Sequence, residues 1–141
     1  MYRVEGTDLF KLTKRCGSPR YMAPEVFKGH PYNESCDVYS LGLLLWQICE
    51  CKTPYDKFDY SALSDLVMFG NERPIVNPKW SRGITSIITR AWDYKYTKRP
   101  SCKDICDALK KEIVNTCGNG ALEDMDLSSR TEASVHRKIS R

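Results

Sequence analysis

The apolar positions of the chain are most concentrated in residues 36–51, where the run DVYSLGLLLWQICE has no continuous polar face. A helix that is apolar on nearly every side is normally buried in the middle of a protein. Ser35 precedes the run and is its predicted N-cap. We therefore expect one buried central helix, which other elements of the chain must cover.

Two of the covering helices are predicted from helical periodicity. Residues 60–69 place Leu63, Leu66 and Val67 on one face, and Gly70 ends the segment. Residues 82–93 match the helical period throughout. Their apolar positions are Ile84, Ile87, Ile88, Ala91 and Trp92.

The last predicted helix begins after Pro100, with Ser101 and Asp104 as a capping box. Its predicted inward positions lie at helical spacing. They are Cys102, Ile105, Cys106, Leu109 and Ile113. We expect this helix to complete the cover of the central one.

The N-terminal and C-terminal segments differ from this helical body. Residues 1–16 show no clean period, so they are predicted to form an extended loop, and strand signals are nearly absent. Pro24 suits the first turn of a short helix that Gly29 ends. Residues 1–114 are therefore predicted to form one mainly α domain. Residues 115–141 form a polar tail with little that could pack, and we expect disorder there.

The composition excludes several functional classes. With 141 residues, 41% hydrophobic and 28% charged, the chain can bury one core. Its net charge of +4 is spread without a basic run interleaved with aromatic residues, so nucleic-acid binding is not expected. No signal peptide or membrane-spanning segment is visible. We expect a cytoplasmic protein.

The seven cysteines do not form a metal or disulfide framework in the sequence. None belongs to a C-x-x-C pair, and only two histidines could assist a metal site. We expect free thiols in a reducing compartment. Cys102 and Cys106 share a helix face that is otherwise apolar. We interpret them as core thiols rather than as metal ligands.

Three motifs carry a resemblance to a known family. GSPRYMAPEV, residues 17–26, resembles the substrate-docking loop and Ala-Pro-Glu motif that end the activation segment of eukaryotic protein kinases. DVYSLG, residues 37–42, resembles the start of that family's central helix, and KRPS, residues 98–101, resembles its Arg-Pro element. Trp46 and Trp92 are similar to tryptophans of tyrosine kinases and the tyrosine-kinase-like group. The resemblance implies part of a kinase C-lobe, nearest to tyrosine-kinase-like serine/threonine kinases.

The resemblance also implies roles for individual residues. Glu25 and Arg99 match the carboxylate and guanidinium that form a structural ion pair in the family. Asp37 matches an aspartate that binds the catalytic loop and anchors the central helix. Thr7 and Thr13 fall in the activation segment, as regulatory phosphorylation sites or as solvated residues. The implied substrate-docking loop consists of Gly17, Ser18, Pro19, Arg20, Tyr21 and Met22.

The motifs that hold the nucleotide in the family do not occur in these residues. There is no Gly-x-Gly-x-x-Gly, no His-Arg-Asp and no Asp-Phe-Gly. We therefore expect no catalytic, cofactor-binding or metal-binding residue in this chain, and ATP and magnesium belong to the full family domain. The expected function is that of a fragment of an ATP-dependent serine/threonine kinase, inactive alone, whose parent acts on protein substrates.

Two alternatives stay open from the sequence. The chain is a truncated part of a kinase, whose partner is the missing half, or a true short protein that works as a non-catalytic, pseudokinase-like peptide-binding module with another chain. A generic helical adaptor does not explain the spacing between Trp92 and Arg99. In either case we expect helix faces left without cover, which invite aggregation or a partner.

Overall fold

The computed structural model describes residues 2–11 and 17–118. Residues 12–16, which include Thr13 and Cys16, and residues 119–141 of the predicted polar tail lie outside the described part. The elements are β1 (Tyr2–Arg3), β2 (Phe10–Lys11), α1 (Pro24–Phe27), α2 (Ser35–Glu50), α3 (Tyr60–Ala62), a π-helical segment (Leu63–Phe69), α4 (Arg82–Ala91), a 3₁₀ turn (Tyr96–Lys98) and α5 (Cys102–Cys117). The predicted mainly α fold is confirmed.

Residues 2–11 form a small hairpin, so the prediction of an extended loop is wrong for this part of the N-terminal segment. Strands β1 and β2 are antiparallel, with Tyr2 opposite Lys11 and Arg3 opposite Phe10. The N–H of Phe10 donates to the carbonyl of Tyr32 at 2.8 Å, and the reverse bond is 3.0 Å. The hairpin is thereby joined to the segment before α2. Strands of two residues are too short to show a period-2 pattern, which explains the error.

Helix α2 lies between two apolar clusters. The smaller cluster joins Val38 of α2 to Ile87 and Ala91 of α4 and to Ile105 of α5. The larger cluster surrounds Tyr39, Leu43 and Trp46 of α2. Its other members come from the segment before α1, from α1, from the loop after α2, from the π-helical segment and from the end of α4: Met22, Ala23, Val26, Phe27, Tyr55, Leu63, Val67, Met68, Ile88 and Trp92.

One side of α2 lacks cover within the described part of the chain. Leu44 and Ile48 are exposed, Ile48 by 62% of its surface, although the sequence has no polar face there. The N-cap prediction is also wrong: Ser35 is the first helical residue, and Glu34 holds the cap position without a side-chain bond. Asn33 takes over the capping role, because its side-chain oxygen accepts from the Ser35 N–H at 3.1 Å.

The segment after α3 winds as a π-helix rather than as an α-helix. The N–H of Gly70 donates to the carbonyl of Asp65, five residues earlier, at 2.8 Å. Leu63 and Val67 are buried as predicted, whereas Leu66 is exposed. Each π-helical turn takes more residues than an α-helical turn. The wider turn rotates Leu66 away from the face on which the α-helical period placed it.

Helices α4 and α5 begin at serine caps. The Ser81 hydroxyl accepts from the N–H of Ile84 at 3.1 Å. The capping box of α5 is confirmed, since the Ser101 hydroxyl accepts from the Asp104 N–H at 3.1 Å and the Asp104 carboxylate accepts from the Ser101 N–H at 3.0 Å. The side-chain bonds fix where each helix starts.

The cysteines of α5 are placed differently from the prediction. Cys102 and Cys106 are exposed, so their interpretation as core thiols is wrong. The contact between α5 and α4 is centred on Ile105, and the two thiols flank it on the solvent side. Helix α5 also continues to Cys117, past the predicted end of the body at residue 114. None of the described helices is both long and apolar enough to span a membrane.

Candidate functional site

Glu25 and Arg99, which are far apart in the sequence, form a buried ion pair. Arg99 Nη1 donates to Glu25 Oε1 at 2.6 Å, and Nη2 donates to Oε2 at 2.9 Å. Arg99 is 8% exposed and Glu25 is 9% exposed. Pro24 begins α1 and so places Glu25 in its first turn, whereas Arg99 lies in extended backbone after the 3₁₀ turn. The two-pronged geometry fixes the direction of both side chains.

The Arg99 guanidinium also binds two backbone carbonyls. Its Nη1 donates to the Ser35 carbonyl at 2.9 Å, and its Nε donates to the Asp93 carbonyl at 2.8 Å. These bonds satisfy most of the donors of a buried guanidinium, which is what makes a buried charge tolerable. One side chain thereby connects the start of α1, the start of α2 and the loop after α4.

Two guanidinium groups lie over the Tyr39 ring, and one of them belongs to this ion pair. The central carbon of Arg99 is 5.0 Å from the centroid of the Tyr39 ring, and that of Arg73 is also 5.0 Å away. Arg73 is held in place because its Nε donates to the Trp92 carbonyl at 3.0 Å. Burial raises the pKa of the Tyr39 hydroxyl, so the ring stays neutral. Arg73 was not predicted from the sequence, since a cation over a ring has no sequence pattern.

The predicted substrate-docking loop is a turn before α1 with two exposed residues at its start. The N–H of Tyr21 donates to the Ser18 carbonyl at 3.1 Å, and the N–H of Met22 donates to the Pro19 carbonyl at 3.3 Å. Gly17 has a φ of +108°, a backbone conformation that favours glycine. Gly17 and Ser18 are exposed, whereas Met22 is buried in the core. Only the first two residues therefore face solvent freely.

Arg20 and Tyr21 attach the loop to the rest of the molecule. Arg20 Nη1 donates to the carbonyl of Pro54 at 2.9 Å and also to the carbonyl of Tyr55. The Tyr21 hydroxyl donates to the side-chain oxygen of Gln47. These contacts use two of the six predicted docking residues for anchoring. Pro54 and Tyr55 act through backbone oxygens, which sequence reasoning missed.

Helix α2 supplies two polar side chains for this attachment. The Ser40 hydroxyl donates to the backbone carbonyl of Tyr21 at 2.9 Å. The side-chain oxygen of Gln47 accepts from the Tyr21 hydroxyl. Ser40 belongs to the DVYSLG motif, but no anchoring role was predicted for Ser40 or Gln47. A signal was present: they are seven residues apart in an otherwise apolar helix, so they share one face.

Asp37 lies in the first turn of α2 and is exposed. Its carboxylate accepts from the Cys36 thiol at 3.7 Å. Burial, followed by the charges of Asp37 and Glu25, raises the pKa of the Cys36 thiol to about 11. The catalytic-loop contact that the resemblance implies for Asp37 stays a prediction.

Of the two predicted phosphorylation sites, Thr7 is in the described part. Its hydroxyl donates to the Val4 carbonyl at 2.9 Å and accepts from the Leu9 N–H at 3.2 Å. These bonds close the turn between β1 and β2. A phosphate on Thr7 would have to break the bond to Val4. Thr13 lies outside the described residues.

A family model and several known proteins match most of this chain. The family model "Protein tyrosine and serine/threonine kinase" matches residues 5–109. The chain belongs to this kinase family. The resemblance to a kinase C-lobe that the motifs carried is thereby confirmed.

Several relatives of this kinase-family chain are themselves kinases. A "Probable LIM domain-containing serine/threonine-protein kinase" of Dictyostelium discoideum is 43% identical over 105 residues, 74% of this chain and 16% of that protein. The "Dual specificity protein kinase shkD" of the same organism is 35% identical over 100 residues, 70% of this chain and 13% of that protein. "Mitogen-activated protein kinase kinase kinase 7" of Bos taurus is 35% identical over 95 residues, which are 67% of this chain and 16% of that protein. The chain therefore spans a sixth or less of each of these relatives.

Members of this kinase family generally use ATP and magnesium. No group of three or more His, Cys, Asp or Glu side chains in residues 2–11 and 17–118 could hold a metal ion. The buried carboxylate of Glu25 already receives two donors from Arg99.

Proposed function

We propose that this chain is the substrate-positioning part of a protein serine/threonine kinase domain. In the complete domain, Gly17 and Ser18 contact the segment of a protein substrate that carries the acceptor serine or threonine. ATP supplies the phosphoryl group at residues outside this chain. The role of the present residues is to bind and orient the acceptor segment.

The Glu25–Arg99 pair is the observation that carries the proposal. It joins α1, which follows the docking loop, to the start of α2 through a buried, two-pronged contact. Arg20 and Tyr21 hold the middle of the same loop to the segment after α2 and to α2 itself. The exposed residues Gly17 and Ser18 are therefore followed by a segment that is attached to the rest of the molecule at Arg20, Tyr21 and Glu25.

A fixed loop suits phosphoryl transfer because that reaction depends mainly on positioning and on electrostatic stabilisation. Misplacing an acceptor by about 1 Å can reduce the rate by a factor on the order of 100. The anchors of the loop should therefore affect the use of the protein substrate much more than the use of the nucleotide. This difference separates a positioning role from general stabilisation.

The test is a chimera of the LIM domain-containing Dictyostelium relative, in which the aligned segment is replaced by the matching residues of this chain. We expect the chimera to phosphorylate serine- or threonine-containing peptides. Arg20→Ala in the chimera should lower kcat/KM for the peptide by about tenfold and leave the KM for ATP unchanged. Arg82→Ala is the matched control, because Arg82 is an exposed arginine on α4, away from the loop.

Two results would contradict the proposal. A chimera that binds ATP and unfolds cooperatively but transfers no phosphate would favour the non-catalytic peptide-binding alternative. A chimera that phosphorylates only tyrosine would refute the serine/threonine specificity. The unmodified relative, assayed with the same peptides, shows that the assay detects transfer.

A further inference from the structure

We propose that the surface around Lys28 is a docking groove for an acidic linear segment of a partner protein, recognised as an apolar, an acidic and a second apolar side chain in that order. The groove, called here the Lys28 groove, consists of Lys28, His30, Tyr60, Phe69, Tyr94 and Tyr96. It contains no residue of the loop that positions the acceptor segment. The inference therefore adds a second binding site to the proposed function.

The Lys28 groove contains two cavities that meet at one cation. The first cavity, of about 590 Å³, lies between α1 and the 3₁₀ turn and is walled by Pro24, Tyr94 and Tyr96. The second, of about 510 Å³, lies between α1 and the π-helical segment and is walled by Tyr60 and Phe69. Both cavities are lined by Lys28 and His30. Each is large enough to hold an apolar side chain.

Exposed aromatic rings form much of the groove. Phe69 is 60% exposed and Tyr60 is 55% exposed, and Tyr94 is also exposed. Lys28 Nζ lies 4.5 Å from the centroid of the Phe69 ring and 4.9 Å from that of Tyr94. Clustered surface aromatic residues are typical of the centres of protein interfaces, where they provide a large contact area. The cation between the rings is held at the boundary of the two cavities.

The charge of the groove specifies an acidic partner. Lys28, His30 and Lys95 line the first cavity, and the acidic residue there, Glu25, is bound by Arg99. Lys28 forms no ion pair with a carboxylate of the described residues; its ammonium group contacts two rings and the Tyr94 hydroxyl. An acidic side chain over Lys28 would complement this charge and would favour the correct register of the bound segment.

The order of the subsites predicts a sequence pattern. In an extended peptide, every second side chain points to the same face, about 6.6 Å from the last. When an acidic residue of the peptide lies over Lys28, the peptide residues two before and two after it therefore point toward the two cavities. The expected motif is apolar–x–acidic–x–apolar.

Fluorescence anisotropy with the full 141-residue chain tests the proposal. The probe is a fluorescein-labelled peptide, Ser-Leu-Ser-Glu-Ser-Leu-Ser. We expect a Kd on the order of 100 μM, since two small subsites and one ion pair must offset the ordering of a flexible peptide. Replacing Glu by Gln in the probe, or both Leu by Ser, should weaken binding about tenfold or more.

Variants of the protein locate the binding site. Lys28→Glu should weaken binding of the probe by at least about tenfold, and Phe69→Ser by about fivefold. Two exposed residues outside the groove provide matched controls: Lys110→Glu reverses a charge on α5, and Leu66→Ser removes an apolar side chain from the π-helical segment. Neither control should change the Kd by more than about twofold.

Several results would overturn the proposal. The first is binding that survives Lys28→Glu, and the second is equal binding of the Gln peptide, which would remove the role of charge. A third is no binding up to about 2 mM probe. A fourth is a concentration-dependent dimer, measured by sedimentation, that Phe69→Ser abolishes, since the groove would then be an interface between two copies. None of these four results would change the outcome expected for the chimera, because the docking loop (residues 17–22) and the Lys28 groove share no residue.

Discussion

The guanidinium of Arg99 covers one face of the Tyr39 ring at 5.0 Å while its nitrogens hold both oxygens of Glu25. Arg73 covers the ring at the same distance. The quadrupole of an aromatic ring attracts cations over its faces. Tyr39 therefore reduces the cost of burying Arg99, and α2 contributes to the ion pair although none of its side chains bonds to Glu25.

The first prediction concerns Tyr39. Its hydroxyl has no hydrogen-bonding partner among the described residues. Tyr39→Phe keeps the ring and removes this hydroxyl, so the free energy of unfolding should change by no more than about 1 kcal/mol. Tyr39→Leu removes the ring from both guanidiniums and should cost about 2–4 kcal/mol. Urea unfolding of both variants measures the difference. A larger loss of unfolding free energy for Tyr39→Phe than for Tyr39→Leu would contradict the role assigned to the ring.

The second prediction concerns the ion pair. Arg99→Met leaves the Glu25 carboxylate buried without a partner and should destabilise the protein by about 3–5 kcal/mol. Arg99→Lys should also destabilise it, because an ammonium group cannot bind both oxygens and the two carbonyls. Thermal and urea unfolding provide the measurement.

Lys103→Ala provides the control for the ion pair, since it breaks the exposed pair with Asp107 on α5, which solvent screens. The double variant Glu25→Gln/Arg99→Met should be no less stable than Arg99→Met, because no charge is then left buried. If Arg99→Met were as stable as Lys103→Ala, the buried pair would have no structural importance.

The parts of the site that the sequence predicted depend on side chains in recognisable motifs. The Ala-Pro-Glu and Arg-Pro motifs implied that Glu25 and Arg99 meet, and the structure places them in contact. The cap at Ser101 follows from a local pattern of two side chains, so it too was predictable.

The parts that the sequence did not predict depend on backbone atoms or on non-α geometry. Arg20 binds the carbonyls after α2, and any residue type provides such a carbonyl. The π-helical turn places Leu66 on the exposed side, and no residue pattern predicts such a turn. The exposed side of α2 at Leu44 and Ile48 could not be foreseen from hydrophobicity, because the apolar run is uniform.

The third prediction concerns the contact between α2 and α4 at Gly42. A Cβ atom at this position would lie 2.9 Å from the Cβ of Ala91 and 3.2 Å from the backbone nitrogen of Trp92. Gly42→Ala should therefore force the helices apart and cost about 1–3 kcal/mol, although alanine favours a helix by about 1 kcal/mol. Chemical unfolding measures the loss. Leu44→Ala on the exposed side of α2 is the control, and an equal or larger effect there would show that Gly42 does not set the helix separation.

The fourth prediction concerns thiol reactivity. The thiolate is the reactive form, and burial beside Asp37 and Glu25 raises the pKa of Cys36 to about 11. At pH 8 the thiolate fraction of Cys36 should be on the order of 0.1%. Peptide-level mass spectrometry after a short pulse of N-ethylmaleimide should show exposed Cys102 and Cys106 modified well before Cys36. Modification of Cys36 at the same rate as these two would contradict its partial burial beside Asp37.

The last prediction concerns the start of α5. The hydroxyl and the backbone N–H of Ser101 both donate to the Asp104 carboxylate, and they lower its pKa. A carboxylate whose pKa is lower in the folded state contributes stability above its unfolded pKa, and this contribution is lost as the pH falls through the folded value. Ser101→Ala removes the hydroxyl and should raise the pKa of Asp104 toward its ordinary value. An NMR titration of the side-chain carboxyl measures the change, and Asp107, on the same helix but outside the capping box, is the internal control. An unchanged pKa of Asp104 in the variant would show that the hydroxyl does not hold the carboxylate in solution, and α5 would then need another signal to fix its first turn.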